Sequence, residues 1–349
     1  MEMDAVDTLV SDVIERVASN KKDLKSAVEF VVDFSGKHSV SPETLLKLSA
    51  VFDAEQMYKE KYVFSRACAK LAGGKLREDS LLRAGNTALA LGEKELAAGV
   101  YEELLRSSPD NIEALSRNGA LLVEFGELEQ ARELFEKVLE FNPYHVDTLC
   151  NYGRLLHRLG RIKDAETAYK KALILKPRHV ETHCWYGVLL SELGQRIEAI
   201  YHYSRALDFD SDHVESNFHY ALLLEREGDA LEAEIHYIAA LKAAPENPEI
   251  HRAYARLLSS YGIVPGSRQH FKYALKLDPH DVETCCEYAR LLARFGHRHE
   301  AEVQYRKALE LDPRHMGTLC GYGDLLREKG QYSEAEELYR QAQTCSREE

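Results

Sequence analysis

Apolar residues recur along this chain at helical spacing. Val6, Leu9, Val10, Val13 and Val17 fall on one helix face, and Leu24, Ala27, Val28 and Val31 predict a second helix. Ser41-Pro42-Glu43 reads as a helix start, with Ser41 as N-cap and Pro42 in the first turn. Gly73-Gly74 reads as the end of the last helix of this segment. From residue 78 a longer period overlies the helical one. Gly92, Gly126, Gly160, Gly194, Gly228, Gly262, Gly296 and Gly330 stand 34 residues apart, each between two apolar-periodic segments. A fixed period of this length predicts a stack of two-helix units that bury one another.

With units starting at 78, 112, 146, 180, 214, 248, 282 and 316, each glycine ends a first helix, where the left-handed conformation is cheap only for glycine. Four further columns follow the same ruler. One is small (Gly85, Gly119, Gly153, Gly187, Ala221, Ala255, Ala289, Gly323) and lets helices approach. A second is small again (Ala97, Ala131, Ala165, Ala199, Ala233, Ser267, Ala301, Ala335). A third is aromatic (Tyr101, Phe135, Tyr169, Tyr203, Tyr237, Phe271, Tyr305, Tyr339) and fills the space between helices. The last is mostly proline (Pro109, Pro143, Pro177, Ser211, Pro245, Pro279, Pro313) and stops the second helix. Small, small, aromatic and proline at these offsets resemble the tetratricopeptide repeat, over residues 78–349. The resemblance implies an all-α fold: a right-handed α-solenoid superhelix of helix–turn–helix repeats. Residues 1–77 would then be an N-terminal helical segment, either a cap on the first repeat or a docking element. Departures are Ser211, Ser267 and the turn Gly262-Ile263-Val264-Pro265-Gly266, where local looseness without a break is expected. Tyrosines Tyr152, Tyr186, Tyr220, Tyr254, Tyr288 and Tyr322 replace the family's usual leucine. They read as core rings with partnered hydroxyls, or as a ladder for stacking a ligand.

The net charge of −13 sits in the repeats: residues 1–77 hold twelve acids and twelve bases, the rest 46 acids against 33 bases. Such a surface repels phosphate backbones, so nucleic acid is a poor partner and basic segments of other proteins are better ones. The opening Met1-Glu2-Met3-Asp4 is acidic and reads as no signal peptide, and no apolar run approaches a membrane span. Seven cysteines, an odd count, suggest reduced thiols in a cytoplasmic or nuclear setting.

The resemblance also implies that first helices line a concave groove. Its expected partner-binding residues are Arg117, Asn151, Arg154, Trp185, Phe218, His219, Arg252, Arg256, Glu287 and Arg290. Trp185, the only tryptophan, is an anchor if it faces the groove and a packing residue if it lies between helices. Acids in the first turns (Asp79, Glu113, Asp147, Glu181, Glu215, Glu249, Glu283) suit the helix dipole and would also form an acidic rail. Cys150, Cys184, Cys286 and Cys320 read as semi-polar groove lining, too far apart for disulfides. His145, His179, His213 and His315 read as solvated loop residues.

The family's carboxylate clamp for chaperone tails is not matched: Leu82, Arg117 and Asp147 stand where lysine, asparagine and lysine are needed, and only Asn86 fits. No nucleophile–base pair, phosphate loop or metal motif appears, so no catalytic residue, cofactor or metal is expected. The function implied is a scaffold holding a peptide or helix of a partner in the groove. The alternative is a structural subunit of a larger cytoplasmic or cytoskeletal assembly, contacting neighbours through its N-terminal helices, ends and convex face. The last unit closes near Cys345 with no further helix over it, leaving that end open to a partner or a second copy.

Overall fold

The computed structural model describes residues 2–19, 24–54 and 57–348, and these form twenty α-helices and no strand. The opening Met1-Glu2-Met3-Asp4 and the final four residues lie outside the described side chains. The chain falls into two compact units, Met1–Pro177 and Arg178–Glu349.

The first unit begins with α1 (Glu2–Ser19), α2 (Leu24–His38), α3 (Pro42–Ala54) and α4 (Tyr58–Leu71). Ser41 caps α3 by accepting from the Thr44 amide at 3.2 Å. Leu9 and Val13 of α1, Val31 of α2, Leu45 of α3 and Phe64 of α4 bury fully into one core. That core continues into Leu81, Ala84 and Tyr101 of α5 (Gly74–Ala90) and α6 (Lys94–Ser107), with α4 packed against α5. One expectation fails here. The paired glycines do not end a helix: α4 stops at Leu71, Gly73 caps α5, and Gly74 is its first residue. Glu103 ties this flank together by accepting from Arg66 and Arg77, both at 2.9 Å. The unit closes with α7 (Ile112–Phe125), α8 (Leu128–Phe141), α9 (Val146–Arg158) and α10 (Ile162–Leu175).

The second unit holds α11 (Val180–Glu192), α12 (Arg196–Phe209), α13 (Val214–Arg226), α14 (Ala230–Ala243), α15 (Pro248–Ser260), α16 (Val264–Leu277), α17 (Val282–Arg294), α18 (Arg298–Leu311), α19 (Met316–Glu328) and α20 (Tyr332–Glu348). Consecutive helices pair as hairpins, and first helices touch in succession: α7 with α9 in the first unit, and α11 with α13, α13 with α15, α15 with α17 and α17 with α19 in the second. Each unit is thus an α-solenoid built of stacked hairpins.

The periodic columns explain the stack. All eight ruler glycines take φ between +71° and +85°, so each first helix stops in a left-handed residue. The aromatic column is buried from Tyr101 to Tyr305, with Tyr339 half-buried, and presses on the small column: a Cβ added at Gly153 would lie 2.6 Å from the Tyr169 ring. Five of these aromatics meet the replacing tyrosine of the following hairpin: Phe135–Tyr152 at 6.3 Å, Tyr203–Tyr220 at 5.6 Å, Tyr237–Tyr254 at 5.9 Å, Phe271–Tyr288 at 5.6 Å and Tyr305–Tyr322 at 5.7 Å. The Tyr254 and Tyr152 hydroxyls donate to Glu234 (2.7 Å) and Glu136 (3.1 Å). These tyrosines are inter-hairpin core, not a ligand ladder. Ser267 keeps its column because its hydroxyl donates to the Ala255 carbonyl at 2.7 Å, and Pro265 sits in the first turn of α16 without shifting the helix.

The histidines expected in solvated loops are N-caps. In His145, His179 and His213, Nδ1 accepts from the amide three residues on, at 3.2 to 3.3 Å. Asn111, Asn247 and Asp281 use a side-chain oxygen at the same position. An imidazole that accepts at Nδ1 carries its proton on Nε2, which in His179 and His213 faces Glu181 (3.4 Å) and Glu215 (3.5 Å). The cap is what holds these rings in the fold.

A second set of histidines pins hairpins to the turns before them. His251 Nε2 donates to the Pro245 carbonyl at 2.9 Å, which leaves its Nδ1 to accept from His270 Nδ1 at 2.8 Å. One hairpin earlier, Asn217 donates to the Ser211 carbonyl at 2.9 Å and accepts from His236 at 2.8 Å. His183 and His202 pair likewise at 2.9 Å. Burial, and for His202 and His270 a second histidine, hold all three second-helix imidazoles below the usual range, His202 at about 4.

Candidate functional site

Because first helices touch in succession, residues one hairpin apart on their shared face can meet. In Met1–Pro177, Arg117 Nε donates to Glu113 at 2.6 Å along its own helix, and Arg154 reaches Asn151 at 3.5 Å. Arg117, Asn151 and Arg154 are all half-buried.

In Arg178–Glu349 the face carries more. Trp185 is half-buried, and its ring meets His219 edge-on at 5.4 Å, one hairpin further along. The Trp185 ring therefore lies along the row of first helices. Phe218 is buried against Tyr237 and His219 instead of lining an open groove. Cys150, Cys184 and Cys286 are buried too, and of the four groove cysteines only Cys320 is exposed. The reason is shared: the fifth position of each unit points at the neighbouring first helix, and close helix approach covers it. The sixth position stays half-buried in Trp185, His219 and Glu287 but is buried in Ala253, and the ninth is exposed in Arg256 and Arg290.

Beyond His219 the row is ionic. Glu225 of α13 accepts from Arg256 of α15 through both oxygens, at 3.2 and 3.3 Å, and from the Tyr237 hydroxyl at 2.7 Å. Arg256 also stands 3.8 Å from Glu287 of α17, so one guanidinium spans three successive hairpins. Arg252 lies 4.0 Å from Asp281. Burial pushes the Glu287 carboxyl up, opposed by Arg256, Arg252 and Arg290, and its Oε2 has no hydrogen-bond partner. Arg290 is exposed, with its guanidinium 3.6 Å from Cys286 Sγ. Glu283, one of the expected acidic rail, is engaged by His315 at 3.0 Å. The sequence reading missed Glu225, whose role depends on an arginine 31 residues away. Among the described residues no group of three His, Cys, Asp or Glu could hold a metal.

The arrangement offers a ring edge and paired charges along one face. It suits recognition of a polypeptide. Tetratricopeptide repeat models match residues 79–111, 110–177, 150–214, 187–248, 220–282 and 287–348, one of them alone spanning more than half of the chain. The chain belongs to the tetratricopeptide repeat family. Among solved structures it is similar to the Cut9-Hcn1 hetero-tetramer of the APC/C, at 14% identity and TM-score 0.65, over 88% of this chain and 59% of that one. It is also similar to pilF of Pseudomonas aeruginosa, at 20% identity and TM-score 0.52, over 59% of this chain and 94% of that one. A thermophilic tetratricopeptide repeat protein of Thermus thermophilus matches at 26% identity and TM-score 0.48, over 52% of this chain and 98% of that one. No curated protein matches the chain. The first two likenesses show the fold. Tetratricopeptide repeat proteins generally act in protein–protein interaction, on a scaffold that is generally non-enzymatic. No described helix is long and apolar enough to cross a membrane.

Proposed function

We propose that this chain is a non-enzymatic cytoplasmic scaffold that binds a peptide or helix of a partner protein on the first-helix face of Arg178–Glu349. The observation that carries the reading is the row Trp185–His219, then Glu225–Arg256–Glu287, contributed by four successive first helices. Tryptophan and arginine are the side chains that most often dominate binding energy.

The test is affinity capture from native extract with wild type and a Trp185→Ala/Arg256→Ala double variant of unchanged helicity, quantified by mass spectrometry. A partner captured by wild type and reduced about tenfold or more by the variant supports the face as receptor. A partner list unchanged between the two baits overturns it.

A further inference from the structure

The opposite side of the same hairpins carries a second surface. Residues 34 apart occupy equivalent places in successive hairpins, so second-helix positions form rows. One row holds Ile197 (80% exposed) on α12 and Leu231 (80%) on α14; the next holds Tyr201 (57%) and Ile235 (64%), with Ile238 (51%) beside it. Single exposed apolar residues are ordinary, but five large ones on adjacent helices at matching positions form a patch of the kind that marks an interaction site. None of them is needed for the stack, which uses Ala199, Tyr203, Ala233 and Tyr237 for its core.

The rows change character at α16. Pro265 and Gln269 stand where the apolar residues were, and α16 is the one helix of the twenty whose sequence has no Asp or Glu. Every other second helix of the repeats carries an acid in its first turn. Arg268, Lys272 and Lys276 instead follow each other at four-residue steps, and the cationic ends of Lys272 and Lys276 have no carboxylate partner among the described residues. They border a depression of about 980 Å³ whose walls include Val264, Pro265, Tyr273 and His297, with no carboxylate among its lining residues. A smaller depression of about 420 Å³ continues past Lys272 and Lys276 to Val303 and Lys307, and the one carboxylate in its lining, Glu300, is held by Arg268 at 2.8 Å. In a chain of net charge −13 this is a local reversal of sign beside an apolar patch.

We propose that the second-helix face from α12 to α18 docks an acidic amphipathic segment of a partner protein, its apolar side chains on Ile197, Leu231 and Ile235 and its carboxylates on Lys272 and Lys276. Charge complementarity selects the acidic partner. The apolar patch selects a polypeptide over a phosphate backbone, which has no apolar side chains to seat on Ile197, Leu231 and Ile235. This site is independent of the first-helix face.

The test pans a phage-displayed library of random 16-residue peptides (roughly the length of one long helix) against the full chain. It does so in parallel against three variants: Leu231→Ser/Ile235→Ser, Lys272→Glu/Lys276→Glu, and Trp185→Ala. All of these residues are exposed or half-buried, so each variant should keep wild-type helicity. The expected winners carry net negative charge with spaced Leu, Ile or Phe. They bind either second-helix variant about tenfold or more weakly, bind Trp185→Ala unchanged, and weaken with salt. Neutral or basic winners, winners indifferent to both second-helix variants, or no enrichment at all would overturn the proposal. Winners lost only with Trp185→Ala would move binding to the first-helix face. Sedimentation of wild type and Leu231→Ser/Ile235→Ser adds a separate arm: a dimer that the variant dissolves assigns the patch to a second copy. A labelled oligothymidylate that competes with the peptides as an equal ligand assigns it to nucleic acid. Either result overturns the partner class named here.

Discussion

Gly153→Ala tests whether the small column exists to admit the aromatic ring. By helix propensity alone the substitution should help, since glycine inside a helix costs about 1 kcal/mol relative to alanine. The packing opposes it. A Cβ on Gly153 would meet Tyr169 Cε1, Cδ1 and Cζ at 2.6, 2.9 and 3.0 Å, distances at which something must shift. Tyr169 is fully buried, so its ring cannot swing into water. Forcing one extra carbon into such a site costs about 1–3 kcal/mol. Gly99→Ala is the matched control: it lies within α6 of the same compact unit, and an added Cβ there meets nothing within 4 Å. It should gain about 0.4–1 kcal/mol. Since the backbone contribution is common to both, their difference isolates the clash, and Gly153→Ala should be the less stable by about 1–3 kcal/mol. Stacked repeats can open locally, so the readout is amide hydrogen exchange of α9 and α10 beside a urea titration by circular dichroism. Gly85→Ala, with its nearest approach at 2.4 Å, should cost more than Gly187→Ala, at 2.8 Å. A Gly153→Ala chain as stable as Gly99→Ala would refute the reasoning, because the hairpin would then open around a methyl group at no cost.

Gly194→Ala should lower thermal stability by about 1–2 kcal/mol for a different reason. An added Cβ meets nothing, but φ is +72°, so a null effect in a melting experiment would show that the turn can be rebuilt. The buried histidines predict acid sensitivity. His202 has an ordinary value of 6.5 and a folded value of about 4, so the unfolded chain takes up a proton the folded chain refuses. Stability should therefore fall as pH drops from about 6.5 and level off below about 4, by at most about 1.4 kcal/mol per pH unit and less because the ring keeps some water contact. His236 and His270 act in the same direction. Urea midpoints across that window measure the slope, and a His202→Phe chain that keeps the wild-type slope would sink the assignment.

The repeat was legible because its columns answer to forces inside one hairpin. A left-handed turn needs glycine, and a ring needs a small residue opposite it, so Gly160 and the Gly153–Tyr169 pair recur wherever the hairpin recurs. What depends on the angle between hairpins was not legible. Phe218, Cys150, Cys184 and Cys286 read as groove residues and are buried, because close helix approach covers the fifth position. The N-cap histidines did leave a signal. Asn111, Asn247 and Asp281 share their column, and a lone pair on Nδ1 does what a side-chain oxygen does. The Glu225–Arg256 pair left none, since only the fold brings charges 31 residues apart to 3.2 Å.

The stack also separates folding from recognition. Buried columns such as Ala199, Ala233, Ala301 and Tyr203, Tyr237, Tyr305 stay nearly constant from hairpin to hairpin. Surface positions do not: the row through Ile197 reads Ile, Leu, Pro265 and His299, and the row through Trp185 reads Trp, His219, Ala253 and Glu287. A change in the Ile197 row costs the core little, because its side chains are exposed and supply none of the inter-helix packing. The two faces also share no side chain, since the first-helix row draws on α11, α13, α15 and α17 and the other on α12, α14, α16 and α18. Distant substitutions without common partners act additively. A doubly substituted chain carrying Trp185→Ala with Leu231→Ser/Ile235→Ser should therefore lose both sets of ligands by the sum of the separate effects. A larger loss would mean that the faces read one partner wrapped around the hairpins.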